Sequence, residues 1–434
     1  MKRRAPVLLA CASLGGLLLS GPVMAWQDKP SVDQPVATSS QARMNGFPPA
    51  ADTVVSKANI LRPENLRWAF RNLRQLYPTQ TVRRPERASS LIVGKQRDLA
   101  KIEFVAAGEE TLSLAEWQKR THTDALVVLH KGRIVYQQYD PGMTGRTPHA
   151  LWSMSKSIVG LLAMKAIEDG RLDRGKQITA YLPELQGSGW EGATLQDALD
   201  MRVGIAYRES FSDPKADVFR YLFAAGLLAP PKDLPVARNM YDYLATISAG
   251  SGHGGAFAYM SADTEVVAWI LQRTSDTSLS EMVSQQLWSV IGAQDDAYYI
   301  VDPYGLNIGS VGLVATPLDL ARLGQAVIDK GGRPDAVLSR SSIDVLHDGS
   351  ARNAFAQSVQ ASIRSGYSYR NQWWVPGDAD RSIEAKGLFG QHLVINPKHN
   401  VVIVKLSANP AGDTIQTHAL DKAAFSAIVN AVSK

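Results

Sequence analysis

The 434-residue chain has a single cysteine, Cys11. One cysteine excludes a disulfide framework and any cysteine-rich zinc or iron–sulfur module. The eight histidines are scattered, with no H-E-x-x-H and no other ligand spacing, so neither a metal nor a cofactor is expected. G-x-S-x-G is also missing, which removes the nucleophile elbow of the α/β-hydrolases. Beyond the first residues no apolar run is long enough to span a bilayer. There is little excess of one charge: 46 Lys and Arg face 41 Asp and Glu, a formal +5. Lys2, Arg3 and Arg4 lie in an expected targeting segment. Without those three, 43 basic residues face 41 acidic ones, about +2. That gives no basis for a nucleic-acid partner.

What remains is ordinary globular material. Hydrophobic residues at 45% and charged residues at 20% can bury a sizeable core. The length suits two or three domains, or one large one.

The chain opens with a basic start, an apolar stretch (Ala5–Leu19) and Val23-Met24-Ala25. Small residues at the −3 and −1 positions suit signal peptidase, so residues 1–25 are expected to be a signal peptide and the protein exported, to the periplasm or beyond. A membrane anchor is the competing reading, but the stretch is short and is followed by Gly21-Pro22. Leu8-Leu9-Ala10-Cys11 resembles a lipobox, yet Cys11 comes early and the apolar stretch continues past it. Cleavage after Ala25 leaves no cysteine, so a thiol nucleophile is not expected.

Residues 26–50 are rich in Pro, Ser and Gln and read as a flexible leader. Residues 51–110 carry short apolar clusters and read as an N-terminal extension on the main domain. Their basic patch, Arg83 to Arg87, reads as solvated surface. The main domain is placed at 111–434. Ala125–His130 and Arg133–Tyr139 form a predicted hairpin turning at Lys131-Gly132. An apolar helix is predicted from Ser153 to Asp169, ended by Gly170 and buried nearly all round. The middle, about 175–385, reads mostly as helices and loops, with helical spacing at Asp263–Arg273 and at Pro317–Asp329, the latter ending at Gly331-Gly332. Leu388–Ile395 and Val401–Leu406 read as a second hairpin, and a last helix runs roughly Thr414–Val432. With strands at both ends and helices between, the expected class is α+β: an antiparallel sheet built from both chain ends, with a mostly helical region inserted. No internal repeat is present.

The chemistry concentrates in Ser153-Met-Ser-Lys156, an S-x-x-K. On a helix, residues three apart share a face, so the amine can reach the hydroxyl. Serine needs a base to become a nucleophile, and a lysine depressed by burial can be one. A helix N-terminus also offers backbone N–H groups to an oxyanion. The pattern alone is weak, because about two chance matches are expected at this length. Ser212-Asp-Pro-Lys215 is a second match, but it contains Pro and precedes no buried helix. Only the Ser153 copy opens one.

Two further elements follow in order. The first is Tyr259-Met-Ser261, ahead of a helix. The second is Ala385-Lys386-Gly387-Leu388-Phe389-Gly390-Gln391, ahead of the closing hairpin. Together with Ser153 and Lys156 they resemble the serine β-lactamase and penicillin-binding-protein superfamily, closest to its class C-like carboxylesterases and 6-aminohexanoate-dimer hydrolases. Similarity extends through Met201–Tyr207, Asp302–Gly312 and Gln372–Trp374, and covers roughly 110–434. The resemblance implies a β-lactamase/transpeptidase-like fold. It implies Ser153 as nucleophile, Lys156 as base and Tyr259 as proton relay. The N–H groups of Ser153 and Leu388 would hold the oxyanion, with Gly387 at the third motif's glycine; a second register puts Gly390 there. Trp152, Tyr207, Ser261, Trp373 and Trp374 are candidate substrate contacts, although each aromatic serves equally well as core. The sequence departs from the family's K-T-G, with Ala385 where the lysine stands. That weakens carboxylate recognition and favours the esterase or amidase branch.

Other signals have plainer readings. Gly170 to Lys176 nearly matches a P-loop but lacks the Ser or Thr that holds magnesium, and follows a helix; it reads as a turn. His253, in a glycine-rich loop, reads as a bystander. The expected function is thus an exported serine hydrolase of a small-molecule ester or amide. The alternatives are a DD-peptidase-like or β-lactam-acylated cell-wall protein and a catalytically silent binding protein on the same fold. No residue pattern fixes an oligomeric state.

Overall fold

The computed structural model describes residues 43–106, 108, 110–329, 337–412 and 414–434. The signal segment, most of the leader, and Gly331-Gly332 lie outside the described residues.

Eight strands form the main sheet. In chain order they are β1 (Ile92–Val93), β2 (Thr123–His130), β3 (Arg133–Tyr139), β4 (Ser368–Arg370), β5 (Trp373–Val375), β6 (Ile383–Gly387), β7 (Gln391–Asn396) and β8 (Val401–Ser407). Their spatial order is β4-β5-β6-β7-β8-β2-β3-β1. Every pairing is antiparallel except β1 with β3. Both chain ends therefore build one sheet, as expected, with β8 lying beside β2. The two predicted hairpins form, and β2–β3 turns at Lys131-Gly132, both at positive φ.

Six helices position the site: α1 (Pro63–Arg71), α2 (Met154–Glu168), α3 (Asp217–Ala224), α4 (Ser261–Ser275), α5 (Pro317–Ile328) and α6 (Ile415–Ser433). The sheet is covered on both faces. Val127, Leu129, Leu393 and Val402 pack with Leu320 and Leu323 of α5. Their neighbours Leu126, Val128, Val394 and Ile403 pack with Leu420 and Phe425 of α6. Successive strand residues point to opposite faces, so two cores make these strands read as continuous apolar runs. Gly324 lets α5 approach closely: a Cβ there would lie 2.6 Å from Val402 Cγ1.

Helix α2 fits its predicted place. Twelve of its residues, including Ser155, Lys156 and Ser157, are buried, and Gly170 follows it at φ +71°. A Cβ at Gly160 would meet the Asn371 carbonyl at 2.3 Å, so glycine is what allows that loop to lie on the helix.

Two expectations need correction. The middle of the chain contains more strand than it suggested. Ala297–Ile300 and Leu313–Ala315 join Thr79–Val82 and His149–Ala150 in a separate four-stranded sheet, and the main-sheet strands β4 and β5 also fall within residues 175–385. These strands are three or four residues long and buried on both sides, so they show no alternation. Leu388 to Gly390 is not strand. β7 begins at Gln391, and the preceding residues turn with Phe389 and Gly390 at φ +65° and +88°. They are apolar because they meet the site described below.

The extension is interwoven with the rest. Thr79–Val82 pairs with Ala297–Ile300, and Ile92–Val93 pairs with β3. Arg67 and Arg71 of α1 bind the buried Asp124 and also Asp140. The basic patch at Arg83, Arg84 and Arg87 is exposed.

Candidate active site

Ser153 stands at the N-cap of α2, yet its side chain makes no capping hydrogen bond. A capping serine normally spends its oxygen on a backbone N–H of the first turn. Here the hydroxyl accepts from Lys156 Nζ at 3.3 Å. The residue before it, Trp152, has φ +49°, a left-handed conformation that an aromatic residue adopts only when its surroundings enforce it. Phe70 of α1 and Phe389 pack on its ring at 5.3 and 5.2 Å.

Lys156 is 1% exposed. Besides Ser153 it donates to Ser261 Oγ at 3.0 Å and to the Ser310 carbonyl at 3.2 Å. Burial brings the ammonium down to about 8, against the opposing pull of Glu209 and Glu265. At neutral pH a useful fraction of neutral amine is therefore accessible.

Each acceptor is itself held. Glu265 lies four residues after Ser261, on the same face of α4. Its carboxylate receives the N–H groups of Gly309 and Ser310 at 3.0 and 2.8 Å and the Tyr221 hydroxyl at 2.7 Å. That clamp aims the Ser310 carbonyl at Lys156. Ser261 donates its hydroxyl to Glu209 Oε1 at 2.9 Å, and its backbone N–H also bonds to the Glu209 carboxylate. Glu209 thus caps the start of α4 and places negative charge near the lysine; burial pushes its own carboxyl up.

Sequence reasoning missed Glu209, Glu265 and the Ser310 carbonyl. Glu265 could have been found by counting four from Ser261. Glu209 lies in an irregular loop, where no periodicity marks it.

Tyr259 sits beside the lysine, with Lys156 Nζ 5.2 Å from its ring centroid, and stacks on Trp374 at 5.5 Å. On the other side, Gly387 ends β6 against the segment that leads into Ser153: a Cβ there would lie 2.3 Å from the Leu151 carbonyl. This close approach favours Gly387 over Gly390 as the motif glycine. Leu388 follows, and Gln391 Nε2 holds its carbonyl at 3.0 Å and the Ser407 carbonyl at 2.7 Å.

A cleft of about 540 Å³ opens on Ser153, with Tyr207, Glu209, Tyr259, Trp374, Lys386 and Leu388 in its walls. A smaller apolar slot of about 50 Å³ meets it at Ser153, Glu209, Phe211 and Leu388. Of the expected substrate contacts, Tyr207 and Trp374 line the cleft, while Trp152 and Ser261 line the slot. Ser261 is engaged by Lys156 and Glu209. Trp373 does not belong to the site: it is fully buried in the main core, because adjacent strand residues face opposite sides and Trp374 takes the cleft side. The same alternation sends Ala385 into the core and Lys386 to the face where His418 Nδ1 lies 3.2 Å and Glu384 3.7 Å from its amine. His253 is held between the Gly204 N–H and the Glu191 carbonyl and lines neither cavity. Among the described residues no group of three or more His, Cys, Asp or Glu could hold a metal ion.

The electrostatics give a testable sign. Glu209 raises the Lys156 pKa, so neutralising it lets desolvation lower that pKa further. The parent kcat/KM is expected to rise with pH around 8, and in Glu209→Gln that rise is expected at lower pH. A pH–rate profile on a p-nitrophenyl ester measures it; an unmoved or alkaline-shifted limb contradicts the assignment.

A mixed sheet with helices on both faces, and a Ser-x-x-Lys pair at the start of a buried helix, define a serine hydrolase of the β-lactamase and penicillin-binding-protein class. Residues 96–424 match the family model described as Beta-lactamase. A 6-aminohexanoate-dimer hydrolase of Paenarthrobacter ureafaciens is 33% identical over 359 residues, 82% of this chain and 89% of that protein. A solved Bacillus anthracis protein assigned as a 6-aminohexanoate-dimer hydrolase superposes with a TM-score of 0.78 at 27% identity, covering 88% of this chain and 98% of the other. A class C β-lactamase in complex with cefoxitin shares the fold, with a TM-score of 0.52 at 14% identity over 73% of this chain and 96% of its own. The chain belongs to the β-lactamase family.

Proposed function

We propose that this protein is an exported amidase or esterase that works through a Ser153 acyl-enzyme. The observation that carries the reading is the buried Lys156 amine, 3.3 Å from Ser153 Oγ and brought down to about 8. Neutral Lys156 takes the hydroxyl proton as Ser153 Oγ attacks the substrate carbonyl carbon. The oxyanion forms against the N–H groups of Ser153 and Leu388. When the C–N or C–O bond breaks, the proton passes to the leaving amine or alcohol by way of Tyr259. Water, deprotonated by the same lysine, then attacks the acyl-enzyme and releases the acid. Preorganised donors and a positioned base supply the catalysis, so no metal or cofactor is required.

The family resemblance and the 6-aminohexanoate-dimer hydrolase relatives support an ester or amide substrate. A cell-wall role is less well supported, because Ala385 occupies the place of the carboxylate-binding lysine and faces the core. A silent scaffold is also less well supported, since nothing in mere packing calls for a buried, depressed lysine on a serine hydroxyl. Export rests on the first 25 residues. Among the described residues no helix is long and apolar enough to cross a membrane.

The test is chemical. A fluorophosphonate should add one adduct per chain, and peptide mapping should place it on Ser153. Labelling elsewhere, or none, contradicts the proposal.

A further inference from the structure

We infer that the slot beside Ser153 is the acyl-group pocket, and that it selects short, uncharged, apolar acyl chains. The inference rests on the function proposed above. The two cavities share Ser153 and Leu388, so a substrate whose carbonyl sits between them extends one arm into each. Tyr259 lines the wide cleft and not the slot. The proton for the departing group comes from that side, so the leaving group lies in the cleft and the acyl chain in the slot.

The slot wall is hydrocarbon: Leu61 and Leu73 from the extension, Leu222 of α3, Leu228, and the Trp152 ring. Its polar residues are already engaged. The Tyr221 hydroxyl bonds to Glu265 and Ser310. The Tyr77 hydroxyl donates to the Leu227 carbonyl at 2.9 Å. Glu209 and Ser261 bind each other, and Glu209 stands at the junction with the cleft rather than deep in the slot. An acyl chain ending in an ammonium would bury that charge against leucines, at a large cost. A water-sized group takes about 10–15 Å³, so about three to five carbon-sized groups fit. The extension therefore enters the substrate pocket directly, through Leu61 and Leu73.

The experiment is a p-nitrophenyl ester series from acetate to dodecanoate, with the alcohol held constant. Parent kcat/KM is expected to peak at butyrate or hexanoate. Leu228, half-buried at the slot, is changed to Trp to fill it. The hexanoate-to-acetate ratio should then fall about tenfold or more, since each methylene excluded from an apolar pocket costs about that much. Leu61→Ala should move the peak towards octanoate. The ratio is taken within one protein, so a partly folded variant still reports it. p-Nitrophenyl hexanoate should also outrun its 6-trimethylammonio analogue by tenfold or more. Equal fold-changes across the series, a flat parent profile, or faster turnover of the cationic ester would overturn the inference while leaving Ser153 chemistry intact. Absence of turnover for every ester, together with absence of fluorophosphonate labelling, would instead remove the reading on which it rests.

Discussion

Replacing Ser153 by alanine is expected to lower kcat for p-nitrophenyl butyrate by about 10⁴-fold or more, with the fold retained. The size follows from losing the nucleophile itself. Residual turnover by water held in the same oxyanion site is what such variants keep. A 10⁴-fold loss is about 5.5 kcal/mol of transition-state stabilisation. The expected stability cost is much smaller, about 1 kcal/mol, typical of one net hydrogen bond. Ser153 does not cap α2, and Lys156 keeps Ser261 and the Ser310 carbonyl as partners. Steady-state kinetics and a thermal melt together decide the matter. Wild-type rates in a folded Ser153→Ala protein would end the acyl-enzyme assignment.

The second large effect is at Lys156. Lys156→Met retains the unbranched stem and its packing but removes the amine, and a loss of about 10³-fold or more in kcat/KM is expected from losing a positioned base. Lys156→Arg sharpens the test. It restores a cation but no accessible base, because guanidinium does not deprotonate in proteins. If Lys156 acts by deprotonating Ser153, Arg is as inactive as Met. If it acts only as a fixed positive charge, Arg recovers much of the rate. The parent profile is expected to carry the matching signature, activity rising with pH through about 8 as the buried ammonium loses its proton. A profile flat from pH 6 to 10 would remove lysine from the base role.

The parts of this protein that were readable beforehand are local. The S-x-x-K spacing puts Ser153 and Lys156 on one helical face, and the unbroken apolar run after them requires a buried helix; both follow from a period of 3.6 residues. The β2–β3 hairpin follows from β-rich runs around a glycine turn. The joining of both chain ends into one sheet follows from strands that need partners. The site's supporting groups are different in kind. Glu209 and Ser261 are 52 positions apart, and the Ser310 carbonyl lies 154 residues from Lys156. Neither contact leaves a periodic trace. Strand parity was similarly hidden: Trp373 and Trp374 look alike in sequence, and only the pleat sends one to the core and the other to the cleft.

By itself, then, the sequence determined the candidate Ser153–Lys156 pair and the class of fold, because each depends on residue identity and short spacing. Tertiary structure alone decided how far the lysine is depressed, which carboxylates surround it, and that residues 60–77 wall an apolar slot at Ser153. Those properties depend on burial and on long-range packing, where chain separation carries no information about distance.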